Sequence, residues 1–356
     1  MLPDALLERP AFSLGGARKD ALLLEHLNAL TAHHRAACRP YARALDALWP
    51  GAHDGAARLD EVPWLPVQLF KTHELRSIPA DDVFKTLTSS GTTGQARSRI
   101  FLDAASSARQ TRALATVMSH VLGQQRLPML VLDTRETVSD RRTFNARAAG
   151  ILGMAMFGRD HCYALDADLT LRTDEVRAWL DKHAGERILV FGFTFMVWEA
   201  LREAVGIDLS RATLIHSGGW KKLIDEAVDN ATFKRTLATT TGLRDVRSFY
   251  GMVEQIGSVF IECSEGHLHA PNAADVVMRD PDTFEPAASG LVQVLSALPT
   301  SYPGHSLLTE DLGTVITRDG CRCGWSGAAI AVHGRVPKAE LRGCSDTTAA
   351  GLAVAA

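Results

Sequence analysis

Apolar residues recur at helical spacing near the start of the chain, and this pattern predicts helices over the first sixty residues. Prolines then interrupt the pattern in "EVPWLPVQLFK", which is typical of an extended connection. The residues that carry the helical spacing are Leu22, Leu23, Leu27, Leu30 and Ala37.

Further along, short β-like runs alternate with helical ones, which predicts a largely parallel α/β sheet. The segments "FMVWEALREAV" and "WKKLIDEAV" are predicted helices between strands. From about Gly266, "LVQVLSAL", "GTVIT" and "AAIAVHGR" predict a β-rich subdomain. The predicted strands before that point are 129–133, 187–193, 212–217 and 245–251.

Composition narrows the class of protein. The chain has 356 residues, of which 46% are hydrophobic and 22% charged, as expected for a globular enzyme with a sizeable core. A net charge of −3 argues against a nucleic-acid partner. The sequence contains no apolar run long enough to span a membrane and no secretory h-region, so we expect a cytoplasmic protein.

The loop "TSSGTTGQARSR", which begins at Thr88, is the main candidate for phosphate binding. Its strand-like flanks favour a hairpin over a linker, and its amides and hydroxyls suit phosphate oxygens. Arg97 and Arg99 add positive charge. The spacing matches neither the P-loop nor the dinucleotide motif, so a plain polar turn stays an alternative.

The cysteines are too sparse for a disulfide scaffold. Cys263 and His269 in "CSEGHLH", with Cys321 and Cys323 in "CRCG", match the ligand types of a tetrahedral zinc site. His267 is the alternative imidazole, because it shares a strand face with His269. Unpaired reduced thiols are the other interpretation.

Several ordered motifs resemble those of the AMP-forming adenylate superfamily. "SSGTTGQAR" resembles its signature loop, with Ala96 for Pro and Arg97 for Lys. "HSGGWKK" resembles its adenine-contacting segment, and "SFYGMVEQ" its Y-G-x-T-E motif, with Val253 for Thr. "LLTEDLG" and "VHGR" resemble the ribose-binding segment and the hinge.

Within the superfamily the chain most resembles the acyl-protein synthetases of bacterial bioluminescence. The shared segments are "VPWLPVQLFK", "FKTLTSSGTTG", "FNARAAGILG", "FGFTF", "IHSGGWKKL", "YGMVEQIGSVFIEC" and "RGCSDT". The resemblance implies an α/β fold like the superfamily's N-terminal domain, with mixed sheets flanked by helices and a β-rich subdomain. It divides the chain into a helical segment (1–61), an adenylate-forming core (62–335) and a short tail (336–356).

The same resemblance implies roles for individual residues. The loop would hold the β- and γ-phosphates of ATP, Glu254 would bind Mg²⁺, and Cys344 in the tail would accept the acyl group as a thioester. Asp311 and Arg335 would hold the ribose. The ATP-binding residues implied by the motifs are Thr88, Ser89, Ser90, Gly91, Thr92, Thr93, Gly94, Ser217, Gly218, Gly219, Tyr250, Gly251, Asp311 and Arg335.

The chain departs from the wider superfamily after the hinge, where a C-terminal lid domain with a catalytic lysine usually follows. That lid is largely absent, so Lys338 is only a weak substitute, and Lys85 or Arg97 is a further source of charge. A partner, either an acyl reductase or a carrier protein, is expected to receive the acyl group. The aromatic segment "FGFTFMVW" (191–198) either lines an acyl pocket or belongs to the core.

We therefore expect an ATP-dependent ligase that converts a carboxylic acid, with a fatty acid as the family expectation, to acyl-AMP and then to a thioester. One alternative is an acyl- or aryl-CoA ligase of the phenylacetate-CoA ligase type. Another is a non-catalytic subunit of an acyl reductase complex. The sequence identifies neither the acid nor the final acceptor.

Overall fold

The computed structural model describes residues 3–51, 55–89, 97–139 and 146–335. The described residues up to Val117 and from Gly251 onward form one compact unit, here called unit 1. Residues Met118–Tyr250 form the other, called unit 2. Several predicted site residues lie outside the described residues: Ser90, Gly91, Thr92, Thr93, Gly94, Lys338 and Cys344.

Helices and strands alternate through much of the chain. The helices are α1 (Pro3–Leu7), α2 (Gly16–Ala37), α3 (Arg39–Leu48), α4 (Leu69–Thr72), α5 (Ala104–Leu122), α6 (Glu136–Ser139), α7 (Ala146–Ala155), α8 (Thr173–Lys182), α9 (Thr194–Leu201) and α10 (Asn230–Thr241). The first eight strands are β1 (Leu65–Pro66), β2 (Lys85–Thr88), β3 (Arg99–Leu102), β4 (Leu127–Leu132), β5 (Gly158–Tyr163), β6 (Ile188–Phe193), β7 (Ala212–Ser217) and β8 (Asp245–Tyr250). The others are β9 (Phe260–Glu262), β10 (Leu268–His269), β11 (Ala274–Arg279), β12 (Pro286–Ala287), β13 (Ser289–Ser296), β14 (Ser306–Thr317) and β15 (Ala329–Arg335).

Unit 2 contains a parallel sheet with the strand order β8-β7-β6-β4-β5. Its strands β4, β6 and β7 are buried along almost their whole length, as expected for strands covered on both faces. Aromatic side chains of the helices, among them Trp179, Trp198 and Phe233, pack in the same core as the strand residues Val190 and Leu214. The predicted parallel α/β pattern is therefore confirmed for this unit.

Unit 1 contains the predicted β-rich part. Its strands follow the order β12-β11-β13-β14-β15-β10-β9 and are antiparallel to their neighbours, while β1 pairs in parallel with β14. Leu23 and Leu27 of α2 belong to the same apolar cluster as Leu295 and Ala297. The N-terminal helices thus share a core with the β-rich part.

One predicted helix is wrong. The segment "WKKLIDEAV" forms a 3₁₀ turn over Lys221–Glu226 that is kinked at Leu223. The α-helix begins only at Asn230, because Asp229 Oδ1 accepts a hydrogen bond from the Thr232 amide and caps that end. Gly242 closes the helix in a left-handed conformation.

Two buried histidines stack in unit 1, with His34 and His305 ring centres 5.0 Å apart. His34 Nε2 donates to the Pro299 carbonyl, and its Nδ1 accepts from the Ser77 hydroxyl. His305 Nε2 lies 3.0 Å from Thr31 Oγ1. Burial lowers the pKa of His34 well below its usual value and that of His305 to about 3, so both rings are neutral.

This pair predicts a specific loss of stability in acid. Because the unfolded histidines take up protons below about pH 6.5 and the buried ones do not, stability falls as pH drops, by about 1.4 kcal/mol per pH unit for each histidine. Urea unfolding across this range should show a shallower pH dependence for His305→Gln than for the wild type. The exposed control His73→Gln should keep the wild-type slope, and equal slopes for both variants would contradict the assignment.

Candidate active site and metal centre

The structure describes the two flanks of the predicted phosphate loop, which end at Ser89 and resume at Arg97. Strands β2 and β3 form the predicted antiparallel hairpin, with Thr88 opposite Arg99. Beyond that pair, the Ser89 amide donates to the Ser98 carbonyl (3.1 Å), and the Ser98 amide donates to Ser89 Oγ (2.9 Å). The two ends of the loop are therefore held side by side. Arg97, at the end of the loop, is exposed.

Arg99, which pairs with Thr88 where the loop begins and ends, belongs to a small group of charged and aromatic side chains that the sequence did not single out. The guanidiniums of Arg76 and Arg99 each lie 5.9 Å from the centre of the Phe101 ring. Glu74 pairs with Arg76 at 3.2 Å and with Arg99 at 3.9 Å. These contacts hold the positively charged guanidinium of Arg99 in place on the strand pair that flanks the loop.

Glu254 lies in a 3₁₀ turn, Val253–Gln255, that follows the "FYG" segment. Its side chain is largely buried, with 7% of the residue exposed. Within the part of the chain that the structure describes, its carboxylate accepts no hydrogen bond and joins no ion pair. A buried carboxylate with this environment fits the oxygen donor that Mg²⁺ prefers.

Asp311 and Arg335 are brought together by strand pairing in unit 1. They lie opposite each other on β14 and β15, with Asp311 Oδ1 3.7 Å from Arg335 Nε. The pairing of β14 with β15 is irregular next to these two residues. The register shifts between Leu312 and Gly313, and Gly334 has a positive φ of +111°. Asp311 thus lies within a strand, opposite the arginine with which it is expected to hold the ribose.

In unit 2 the remaining ATP-binding candidates lie at the carboxyl ends of parallel strands. Ser217 ends β7 and Tyr250 ends the neighbouring strand β8. Gly218 follows with φ +85°, a conformation that favours glycine, and Gly219 is exposed beside it. Ligands of open α/β sheets bind at this edge.

The aromatic segment 191–198 divides between core and strand edge. Phe191, Met196, Val197 and Trp198 are buried core residues, which supports the core interpretation for them. Phe193 is half-buried at the end of β6, and a Cβ added to Gly150 or Gly218 would lie 3.1 or 3.5 Å from its ring. Phe195 is half-buried as well, so Phe193 and Phe195 remain the candidates in this segment for contact with substrate.

Cys263, His269, Cys321 and Cys323 converge in unit 1. Their ligand atoms all lie within 4.8 Å of one another. A small inward movement of these side chains would bring the four atoms to the separations of a tetrahedral zinc site. Cys263 and His269 are buried. His269 belongs to this group of mutually close ligand atoms and His267 does not, although His267 Nδ1 lies 3.7 Å from Cys321 Sγ, so the geometry favours His269 as the imidazole ligand.

The surroundings of this cluster suit a cation. Burial lowers the pKa of His269 to about 4, which keeps a lone pair available on the imidazole. Burial also raises the pKa of the Cys323 thiol to about 12, an effect that a bound cation reverses by stabilising the thiolate. Trp325 stacks on Phe12 at 4.5 Å and meets His269 edge-on, so the cluster adjoins the N-terminal segment.

The fold is that of the adenylate-forming ligases. An open conformation of 2-hydroxyisobutyryl-CoA ligase aligns with 93% of this chain and 78% of its own, with a TM-score of 0.63 and 16% identity. The same ligase in its postadenylation state aligns with 92% of this chain and 70% of its own, with a TM-score of 0.66. The expected fold class is thereby confirmed.

The sequence comparisons are more specific. The profile of the acyl-protein synthetase family, LuxE, matches residues 2–353, and the chain belongs to this family. A long-chain-fatty-acid–luciferin-component ligase of Aliivibrio fischeri is 27% identical over 278 residues, 74% of this chain and 71% of its own. The Vibrio harveyi protein of the same name is 27% identical over 306 residues, 81% of this chain and 77% of its own.

Family and fold together identify an AMP-forming ligase and support activation of a carboxylic acid by adenylation. Ligases of this kind use ATP and Mg²⁺. None of the helices that the structure describes is both long enough and apolar enough to cross a membrane.

Proposed function

We propose that the protein converts a fatty acid to acyl-AMP and transfers the acyl group to its own Cys344, from which a partner reductase or carrier protein takes it. The observation that carries this proposal is the family match over residues 2–353, which includes every motif residue discussed above. The relatives whose names specify long-chain fatty acids supply the substrate class. The cytoplasm, which supplies ATP, is the proposed location.

The chemistry proceeds in two steps. A carboxylate oxygen of the acid attacks the α-phosphorus of ATP, and the bond to the leaving pyrophosphate breaks. The thiolate sulfur then attacks the carbonyl carbon of acyl-AMP, and AMP leaves. The first step makes a poor electrophile reactive, and the second conserves that reactivity as a thioester.

The candidates for nucleotide binding have roles in the first step. The loop 88–94 and the positive charges of Arg97 and Arg99 hold the β- and γ-phosphates. Asp311 and Arg335 hold the ribose hydroxyls, and Lys338 is the candidate for the superfamily's catalytic lysine. The adenine and the α-phosphate region contact the remaining candidates, which are Ser217, Gly218, Gly219, Tyr250 and Gly251.

Glu254 would hold Mg²⁺, because its buried carboxylate is the oxygen donor that a hard cation prefers. When bound, Mg²⁺ neutralises charge that develops on the phosphates. The protein's own contribution is to fix this carboxylate in one place before ATP arrives.

The cluster of Cys263, His269, Cys321 and Cys323 would hold a structural zinc ion. Three thiolates and one imidazole would fill the four coordination positions of such an ion, so it would stabilise the fold and take no part in the reaction. Its proposed role is to tie the "CRCG" turn to β10.

Replacing Cys344 by Ser should separate the two steps. Pyrophosphate release should persist, because adenylation does not need the thiol, whereas hydroxylamine-labile labelling of the protein by a radioactive fatty acid should disappear. Cys162→Ser is the matched control: burial raises the pKa of Cys162 to about 11, which makes it a poor nucleophile. Labelling that survives in Cys344→Ser would exclude the proposed acceptor.

A second candidate is a ligase that releases a free acyl- or aryl-CoA, which the fold shared with 2-hydroxyisobutyryl-CoA ligase favours. Pyrophosphate release with a panel of fatty, short and aromatic acids, with and without CoA, tests both candidates. Release without CoA, together with an acylated protein, supports the acyl-protein synthetase. Product that forms only with CoA supports the alternative, and no release with any acid favours a non-catalytic subunit.

A further inference from the structure

Gln255, the residue after Glu254, has a buried side-chain amide that the proposed roles leave unused. The residue is 1% exposed. Its Nε2 donates to two main-chain carbonyls, that of Gly304 at 3.0 Å and that of Val294 in β13 at 3.2 Å. Both amide hydrogens are therefore committed, and both acceptors belong to segments distant in sequence.

Gly304 also packs against the main chain of the turn that carries Glu254. A Cβ on this residue would lie 2.6 Å from the Glu254 carbonyl oxygen and 2.3 Å from the ring of Tyr302. The main chain of Glu254 thus packs directly against Gly304, where no side chain fits. The carbonyl of this glycine accepts from Gln255, so Gly304 contacts both Glu254 and Gln255.

The main chain beyond Gln255 is also fixed. The Ser258 hydroxyl donates to Ser296 Oγ at 2.7 Å, and Ser296 Oγ in turn accepts from the Leu298 amide. The Ser296 amide donates to the carbonyl of His305, next to Gly304. The turn that carries Glu254 is therefore attached to β13 and to the Tyr302–His305 segment at several points.

We propose that Gln255 is a positioning residue that sets the place and direction of the Glu254 carboxylate through its hydrogen bonds to Val294 and Gly304. A 3₁₀ turn of three residues has little stability of its own, so its orientation depends on such tertiary contacts. The inference rests on the proposed role of Glu254 as a ligand of the divalent cation.

The test replaces Gln255 by Met, which keeps the length of the side chain and removes both donors. Binding of Mn²⁺ is measured from its paramagnetic resonance signal in the presence of protein and α,β-methylene-ATP, and Mg²⁺-dependent pyrophosphate release is measured in parallel. Because residues that orient a metal ligand typically contribute 10- to 100-fold to metal affinity, we expect Mn²⁺ binding to weaken by about that factor.

The matched control is Gln293→Met. Gln293 is also a fully buried amide of unit 1, but it donates to the Val62 carbonyl and Ser306 Oγ and accepts from Arg279 Nε, and no hydrogen bond among the described residues joins its side chain to the Glu254 turn. This variant should lose stability and keep wild-type Mn²⁺ affinity. Gly304→Ala should weaken Mn²⁺ binding as Gln255→Met does, by displacing the Glu254 carbonyl.

The outcomes separate this inference from the one it rests on. If Glu254→Gln weakens Mn²⁺ binding and Gln255→Met weakens it no more than Gln293→Met does, the positioning role is wrong and the ligand role stands. If Glu254→Gln leaves Mn²⁺ binding unchanged, both the ligand role and the positioning role are wrong. Weakened binding in Glu254→Gln, Gln255→Met and Gly304→Ala, but not in Gln293→Met, supports both.

Discussion

Glu254→Gln is expected to lower the rate of pyrophosphate release by about 100- to 1,000-fold, because a metal ion contributes several kcal/mol to stabilising charge in the transition state. The substitution keeps the shape of the side chain and removes the negative charge that attracts Mg²⁺. The carboxylate is buried without a protein hydrogen bond among the described residues, so its loss should leave the fold intact.

Two measurements make this result specific. Raising the Mg²⁺ concentration should restore part of the activity, since the amide oxygen remains a weak ligand. Glu285→Gln, which removes the charge of an exposed glutamate in the same unit, should keep the wild-type rate. A wild-type rate in Glu254→Gln would exclude Glu254 as the metal ligand.

Cys321→Ser is expected to remove bound zinc and to lower the melting temperature by roughly 10 °C, the shift that a few kcal/mol produces in a domain of this size. Metal analysis of the purified wild type should find about one zinc ion per chain, as expected for one closed four-ligand site. Cys38→Ala, at a buried thiol outside the cluster, should keep the metal.

The loss of stability in Cys321→Ser should extend to the N-terminal segment, residues 11–16. The Phe12 carbonyl accepts from the Ser326 amide, and Asn272 Oδ1 accepts from the amides of Ser13 and Leu14. Hydrogen exchange of residues 11–16 should therefore accelerate in Cys321→Ser or after chelation. Wild-type protein that contains no zinc and whose exchange does not respond to chelation would show that the thiols are unpaired and reduced.

The sequence predicts those elements whose signal is local. Strands β4 and β6 were predictable because their sequences are apolar almost throughout, as in buried parallel strands, and the hairpin β2–β3 because both flanks of the loop are strand-like. The kinked turn over Lys221–Glu226 was missed because its composition suits a helix. The Asp229 cap and Gly242 were the available signal for the true helix.

Some residues of the candidate site were predictable from the sequence and others were not, for the same reason. Spacing identified the four cluster residues, but the choice between His267 and His269 needed the geometry, because both lie on one strand face. Gln255 carries no signal in the sequence, since its partners Val294 and Gly304 come close only in the folded chain. Contacts between distant segments are what local patterns cannot report.

The central claim is that this chain adenylates a carboxylic acid, and acid-dependent exchange of radioactive pyrophosphate into ATP tests it most directly. This exchange reports the first step alone, so it needs no acceptor thiol and no partner protein. We expect exchange with a fatty acid and Mg²⁺ in both the wild type and Cys344→Ser, and its near loss in Glu254→Gln. A folded protein that catalyses no exchange with any acid of the panel would contradict it.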